Sequence, residues 1–236
     1  MQAGLDVQTS LSAMSPHKAM SAGRDIAITK HKSPFDSVSS TMPVRKAIAE
    51  KDGVYFITFT CNSWLPLFKI CNAYDTVYTW FNHLKQQAHY IVGYIIMPSH
   101  VHAIIAFSNK DKTINSIVSN GKRFIAYDLI KRLQEQNSKL ILNELSASLN
   151  NTERKEGKLH NVFETSFDWK ECRTEKFIQQ KLDYIHYNPC KGKQLVELPE
   201  QYQYSSAKFY LTGEHGIYPV TNFMELRDID LTRLRT

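Results

Sequence analysis

The chain has 236 residues, of which 42% are hydrophobic and 22% charged, and its formal net charge is +6. That length admits one well-buried domain with extensions, or two small ones, and the basic balance favours a polyanionic partner without identifying it. No stretch approaches the roughly 18 continuous apolar residues of a membrane span. The opening MQAGLDVQTSLSAM lacks the basic and apolar regions of a secretory signal, so a cytoplasmic protein with no membrane partner is expected.

Residues 1–45 are rich in Ser, Thr, Met, Ala and Lys and lack apolar periodicity, which reads as a disordered or weakly ordered tail. A domain over 46–212 follows, and 213–236 reads as a C-terminal extension with little regular pattern. Val54 to Cys61 is a β-branched and aromatic run of strand length. Residues 73–89 place Val77, Trp80, Phe81 and Leu84 at helical spacing. Tyr90 to Met97 and His100 to Phe107 then read as two strands of an antiparallel hairpin.

A long helix is expected over 113–136, with Thr113 as N-cap and Gly121 as the point where it kinks or breaks. Lys122, Arg123, Lys131 and Arg132 give it a basic edge. Most of 137–160 reads as helix end and loop, and His160 to Phe167 as the last strand. A helix from about Thr174 to Tyr187 buries Phe177, Ile178, Leu182 and Ile185, and Pro189 ends it. The four cysteines, Cys61, Cys71, Cys172 and Cys190, are scattered without CxxC spacing and read as reduced thiols.

The most informative segment is Met97-Pro98-Ser99-His100-Val101-His102. In a strand, side chains alternate, so both imidazoles point to one face and Val101 to the other. Two imidazoles on one face can share a divalent cation: Mn²⁺, Zn²⁺ and Ni²⁺ suit imidazole, and Mg²⁺ is accepted when phosphate oxygens supply part of the shell, so Mg²⁺ or Mn²⁺ is the expected cofactor. Downstream, Tyr184 and Asn188 stand at i and i+4 in Leu182-Asp183-Tyr184-Ile185-His186-Tyr187-Asn188-Pro189, one turn apart on one helix face. The asparagine carbonyl can be a third ligand and the tyrosine hydroxyl a neighbour of the same ion. Each piece has a bland reading: strand histidines bonded in a core, a packing tyrosine, a helix-ending asparagine. Tyr187 competes for the tyrosine role but has only Lys191 at its own i+4 position. His186 reads as a phosphate contact or, slightly better, as helix surface.

Taken together, MPSHVHAII, VFETSFDWKE, KLDYIHYNPCKGK and QYQYSSAKFY resemble the single-tyrosine HUH transposases, and more narrowly the REP-associated tyrosine transposases. The resemblance spans roughly residues 45–212. It implies an α+β fold, a ferredoxin-like or RRM-like antiparallel sheet with helices on one face. It also implies Tyr184 as nucleophile, Asn188 as metal ligand beside His100 and His102, and a 5′-phosphotyrosine intermediate. The implied partner is single-stranded DNA with imperfect hairpins, laid on an open sheet face and handled by a monomer or a homodimer. Cys190-Lys191-Gly192-Lys193 departs from the run that often follows the proline in relatives, at a place that touches capping and strand contact. Candidate DNA-phosphate contacts are Lys122, Arg123, Lys131, Arg132, Lys191 and Lys193.

The expected activity is therefore metal-dependent cleavage and rejoining of single-stranded DNA at hairpin-containing sites. Two rivals come from other classes. One is a non-catalytic binder of structured DNA or RNA hairpins on the same fold. The other is a metal-dependent nuclease or phosphohydrolase in which the histidines activate water.

Overall fold

Alternation of aromatic and β-branched residues with a fully buried partner face makes the central strands, and two of them carry the rest of the molecule. The computed structural model describes residues 47–110, 112–192 and 194–234. The N-terminal tail and Lys193 lie outside the described residues. In chain order the elements are β1 (Gly53–Thr60), α1 (Leu67–Ile70), α2 (Tyr74–Gln86), β2 (Tyr90–Ile96), β3 (His100–Phe107), α3 (Ile114–Glu135), α4 (Lys139–Ala147), α5 (Asn151–Lys155), β4 (Asp168–Glu171), α6 (Glu175–His186) and α7 (Ala207–Thr212).

The strands form one four-stranded antiparallel sheet in the order β2-β3-β1-β4. With α2 between β1 and β2 and α3 between β3 and β4, this is the β-α-β-β-α-β order of a ferredoxin-like fold. The α+β architecture expected from the sequence is present. On one face, Tyr55, Ile57, Phe59, Val101, Ala103 and Ile105 pack with Val77, Phe81 and Leu84 of α2 and with Val118, Ile125 and Leu129 of α3. Helices are not confined to that face. On the other, Ile178, Leu182 and Ile185 of α6 pack on Phe56, Val92, Ile95, Ile104 and Ala106. The apolar stripe of α6 needs a surface to bury, and the even-numbered residues of β1 and β3 supply one.

Both N-caps expected from the sequence are made. Ser116 N donates to Thr113 Oγ1 at 3.2 Å and Phe177 N to Thr174 Oγ1 at 3.2 Å. Helix α3 runs without a break through Gly121. The glycine serves helix packing instead, because a Cβ there would lie 2.3 Å from Trp80 Nε1 of α2. Residues 160–167 are not the last strand: they reach the sheet through a single bridge, Phe163 to Cys61, and β4 follows at Asp168. Aromatic content marked that segment as a strand, but Phe163 spends its ring on Phe59 and Phe68 in the core. The region after 137 also holds two short helices, α4 and α5, where mainly loop was expected.

The residues after α6 cover the free edge of β2, which would otherwise present unpaired backbone groups. Ile96 N donates to Tyr204 O at 2.9 Å, Ser206 N to Tyr94 O at 3.0 Å, and Thr221 N to Ile91 O at 2.9 Å. Tyr218 and Val220, in the segment read as an irregular extension, are buried in the core. Among the described residues no helix is long and apolar enough to cross a membrane.

Gly93 lies where α6 presses closest on β2: a Cβ there would meet Leu182 Cδ2 at 2.5 Å and Ile185 Cδ1 at 3.4 Å. Gly93→Ala should overpack this contact and cost about 1–3 kcal/mol in urea denaturation. An unchanged midpoint would mean that α6 does not depend on this close approach.

Candidate functional site

The antiparallel register of β1 and β3 sets Thr58 opposite His102 and Thr60 opposite His100. All four side chains therefore emerge on the α6 face of the sheet, away from the α2 and α3 core. The two imidazole centroids are 4.8 Å apart. His102 is buried, stacked on Phe56 at 5.5 Å, and Thr58 Oγ1 is 2.7 Å from its Nδ1. His100 is half-buried at the edge of the sheet, and Ser99 Oγ is 3.3 Å from its Nδ1.

Helix α6 brings the tyrosine to the same place. The ring of Tyr184 stands edge-on to His102 at 5.4 Å and to Phe56 at 6.0 Å, and the residue remains 46% exposed. Tyr187, equally exposed, makes no ring contact with either histidine among the described residues. The α-helix ends at Tyr187, and Asn188 opens a tight 3-10 turn, Asn188–Cys190. Asn188 Nδ2 lies 3.3 Å from His102 Nε2. With that amide donating to Nε2, the ring proton sits on Nδ1 and is donated to Thr58 Oγ1. The lone pair of Nε2 then faces the site, the tautomer a ligating histidine needs.

Burial governs the charge of this site. It pushes His100 down to about 4. His102 is pushed well below the ordinary histidine range by burial first, then by His100 and the ammonium of Lys181. Both rings are neutral at pH 7 and carry lone pairs. Among the described residues no group of three His, Cys, Asp or Glu comes together. A cation here would take two imidazole nitrogens and the Asn188 amide oxygen, once that amide turns its oxygen inward. Two imidazole nitrogens and an amide oxygen are donors that a divalent cation accepts.

The basic residues read as phosphate contacts divide. Lys122 is buried, and its Nζ donates to the carbonyls of Glu164 at 2.8 Å and Ser166 at 3.1 Å. It ties down the segment leading to β4 and offers nothing to a ligand. Arg132 is held by Asp128 at 2.8 Å, Asp75 at 2.6 Å and the Asn72 carbonyl at 2.8 Å, which joins α3 to the start of α2. Arg123 and Lys131 are exposed, but on α3, across the sheet from the histidines. Lys191 is exposed in the turn after Asn188. His186 is neither surface nor phosphate contact, since it is buried with Nε2 2.9 Å from Ser206 Oγ.

Two side chains at the site carry no mark in the sequence reading. Lys181 Nζ lies 5.1 Å from the Phe56 and Phe177 ring centroids and 5.7 Å from that of Tyr184. No carboxylate among the described residues pairs with it. Its position three residues before Tyr184 on one helix face was the available signal. Trp64 sits edge-on to His100 at 5.3 Å and is 64% exposed. Nothing in the sequence marks it.

No protein-family model and no curated protein matches the chain. Among solved structures it is similar to a REP-associated tyrosine transposase bound to a REP hairpin, with a TM-score of 0.47 and 18% identity, over 80% of this chain and 94% of that one. It is also similar to a protein of Deinococcus radiodurans provisionally assigned as a transposase, with a TM-score of 0.30 and 11% identity, over 60% of this chain and 95% of that one.

The buried histidines set a pH dependence. His89, His100 and His186 are each held down to about 4, burial being the main cause. In the unfolded chain a histidine takes up its proton near pH 6.5. Between those values the unfolded state binds more protons, so stability is full above about pH 6.5 and is lost as pH falls towards 4. The urea midpoint should therefore drop between pH 7 and pH 5; a midpoint that holds or rises would contradict neutral rings in the fold.

Proposed function

We propose that this protein is a single-tyrosine HUH transposase that cleaves and rejoins single-stranded DNA at hairpin-containing sites, through a 5′-phosphotyrosine intermediate. The observation that carries the reading is the convergence of Tyr184, His102, His100 and Asn188, from two segments far apart in the chain, on one patch of the sheet. A packing tyrosine or a core histidine pair accounts for either half alone. Neither accounts for their meeting around an amide and an unpaired cation.

The roles follow from chemistry. His100, His102 and Asn188 would hold a divalent cation, which when bound supplies Lewis-acid charge neutralisation at the scissile phosphate. Tyr184 Oη attacks the phosphorus, the phosphorus–O3′ bond breaks, and the departing 3′-oxygen takes up a proton. The 5′-phosphate is left esterified to the phenol. A second 3′-hydroxyl attacking that ester restores a phosphodiester and returns the phenol, so bond energy is kept through both steps. Lys181 Nζ lies 5.7 Å from the Tyr184 ring centroid, and its charge favours both the developing phenolate and an approaching phosphate. The same charge helps keep His102 neutral. Thr58 fixes the orientation of the His102 ring.

The test is cleavage of 5′- and 3′-labelled single-stranded hairpin oligonucleotides with Mg²⁺ or Mn²⁺. Tyr184→Phe should abolish the SDS-resistant protein–DNA band, and His102→Ala should abolish cleavage. Lys181→Met should lower the cleavage rate by about a hundredfold. A free 5′-phosphate product from an active Tyr184→Phe variant would point to water as the nucleophile. Tight hairpin binding without an adduct under either metal would leave a binding module.

A further inference from the structure

Trp64 stands where packing gives a large apolar ring no reason to be. It is 64% exposed, whereas Trp80 is buried and Trp169 packs on Tyr55. Its backbone is left-handed, with φ 58°, and Ser63 before it has φ 52°. Residues bearing a Cβ adopt this region rarely, and for a bulky side chain it is an outlier. Two in succession persist because the surrounding chain pins the turn. Cys61 N donates to Ser99 O at 2.8 Å, Asn62 N to Val162 O at 2.8 Å and Trp64 N to Cys61 O at 3.0 Å. Ser63 N donates to Glu164 Oε1 at 3.2 Å. None of these bonds needs an indole, and glycine would take the position with less strain. Strain retained beside a site points to a use for the side chain that is strained.

The ring lies against His100, 5.3 Å between centroids and 71° between planes. From there a continuous track of groups runs along the site. His100 to His102 is 4.8 Å, His102 to Tyr184 is 5.4 Å, and the Tyr184 ring to Lys181 Nζ is 5.7 Å. The track has a flat exposed aromatic at one end and an ammonium at the other, with the attacking hydroxyl between them. On this face α6 covers Phe56, Ile95, Ile104 and Ala106, and the Trp64 end of the track stays exposed. A ligand lying along the track therefore meets the indole.

We infer that Trp64 is a stacking platform for an unpaired nucleobase adjoining the scissile phosphate, a statement that rests on the DNA-cleaving function proposed above. The indole face offers dispersion and π-stacking to any base, with little regard to its identity. A base inside a duplex has both faces covered by its neighbours. The substrate is therefore a strand with at least one unpaired nucleotide next to the cleaved linkage, and sequence choice is made elsewhere.

The test replaces each nucleotide flanking the cleavage point, in turn, with an abasic residue, in wild type, Trp64→Phe and Trp64→Gly. One abasic position should lower wild-type kcat/KM by about ten- to a hundredfold. Trp64→Gly should lose a similar factor on intact DNA, and the two losses should not multiply. Trp64→Phe should keep most of the activity. The urea midpoint of Trp64→Gly should equal or exceed that of wild type, because glycine adopts the turn freely; a purely structural tryptophan would lower it. Full wild-type activity in Trp64→Gly, or losses that multiply, would overturn the inference. Binding is read separately by the quenching of tryptophan emission by a single-stranded oligonucleotide. Quenching that is absent, or that persists undiminished in Trp64→Gly, overturns the platform whether or not the protein cleaves. Trp64-dependent quenching in a protein that cleaves none of these oligonucleotides supports the platform and removes the reaction.

Discussion

The pairing of β1 with β3 is the constraint on which the site depends. Its register sets Thr58 beside His102 and Thr60 beside His100, and sends the residues between them into the opposite core. A slip of one residue would exchange the faces, burying the polar groups of the site under α2 and α3 and exposing Tyr55, Ile57 and Phe59. The hydrophobic core therefore enforces the site: the burial that holds the register also keeps both imidazoles unprotonated. Thr58 then orients His102, so that core, register and tautomer are one arrangement seen at three scales.

Helix α6 is the second element of that arrangement, and its placement is over-determined. Thr174 caps its start, and Ile178, Leu182 and Ile185 are buried on the sheet, each burial stabilising by about 1.5–3 kcal/mol. Gly93 lets the helix approach, while His186 is bonded to Ser206 in the chain that closes the β2 edge. With the apolar stripe inward, Lys181 and Tyr184 fall on the flank beside His102, and the turn after Tyr187 carries Asn188 under the same ring. The helix thus delivers three site groups without spending its own packing face.

Much of this was legible in the sequence, for identifiable reasons. Alternation in His100-Val101-His102 gives the shared face directly, and Thr113 and Thr174 announce helix starts because their hydroxyls have a local use. Local patterns cannot show what a side chain meets across the fold. Lys122 and Arg132 have the composition of a basic edge, yet both are occupied by carbonyls and carboxylates brought from distant segments. Gly121 has the look of a helix break and is a contact point for Trp80. The aromatics of 160–167 suggest a strand, but they serve the core, and the true edge strand is the short polar Asp168–Glu171. The left-handed turn at Trp64 is invisible for the same reason, since it is imposed by backbone N–H groups donating to oxygens of Val162, Glu164 and Cys61.

The central claim is that Tyr184, and not its neighbour on the next turn, bonds to the DNA. Mass spectrometry of the trapped adduct reads this directly, after nuclease trimming and proteolysis, by locating the residual nucleotide on a peptide. The account requires the added mass on Tyr184, whose ring faces His102. A nucleotide found on Tyr187, or an adduct formed equally well by Tyr184→Phe, would contradict it.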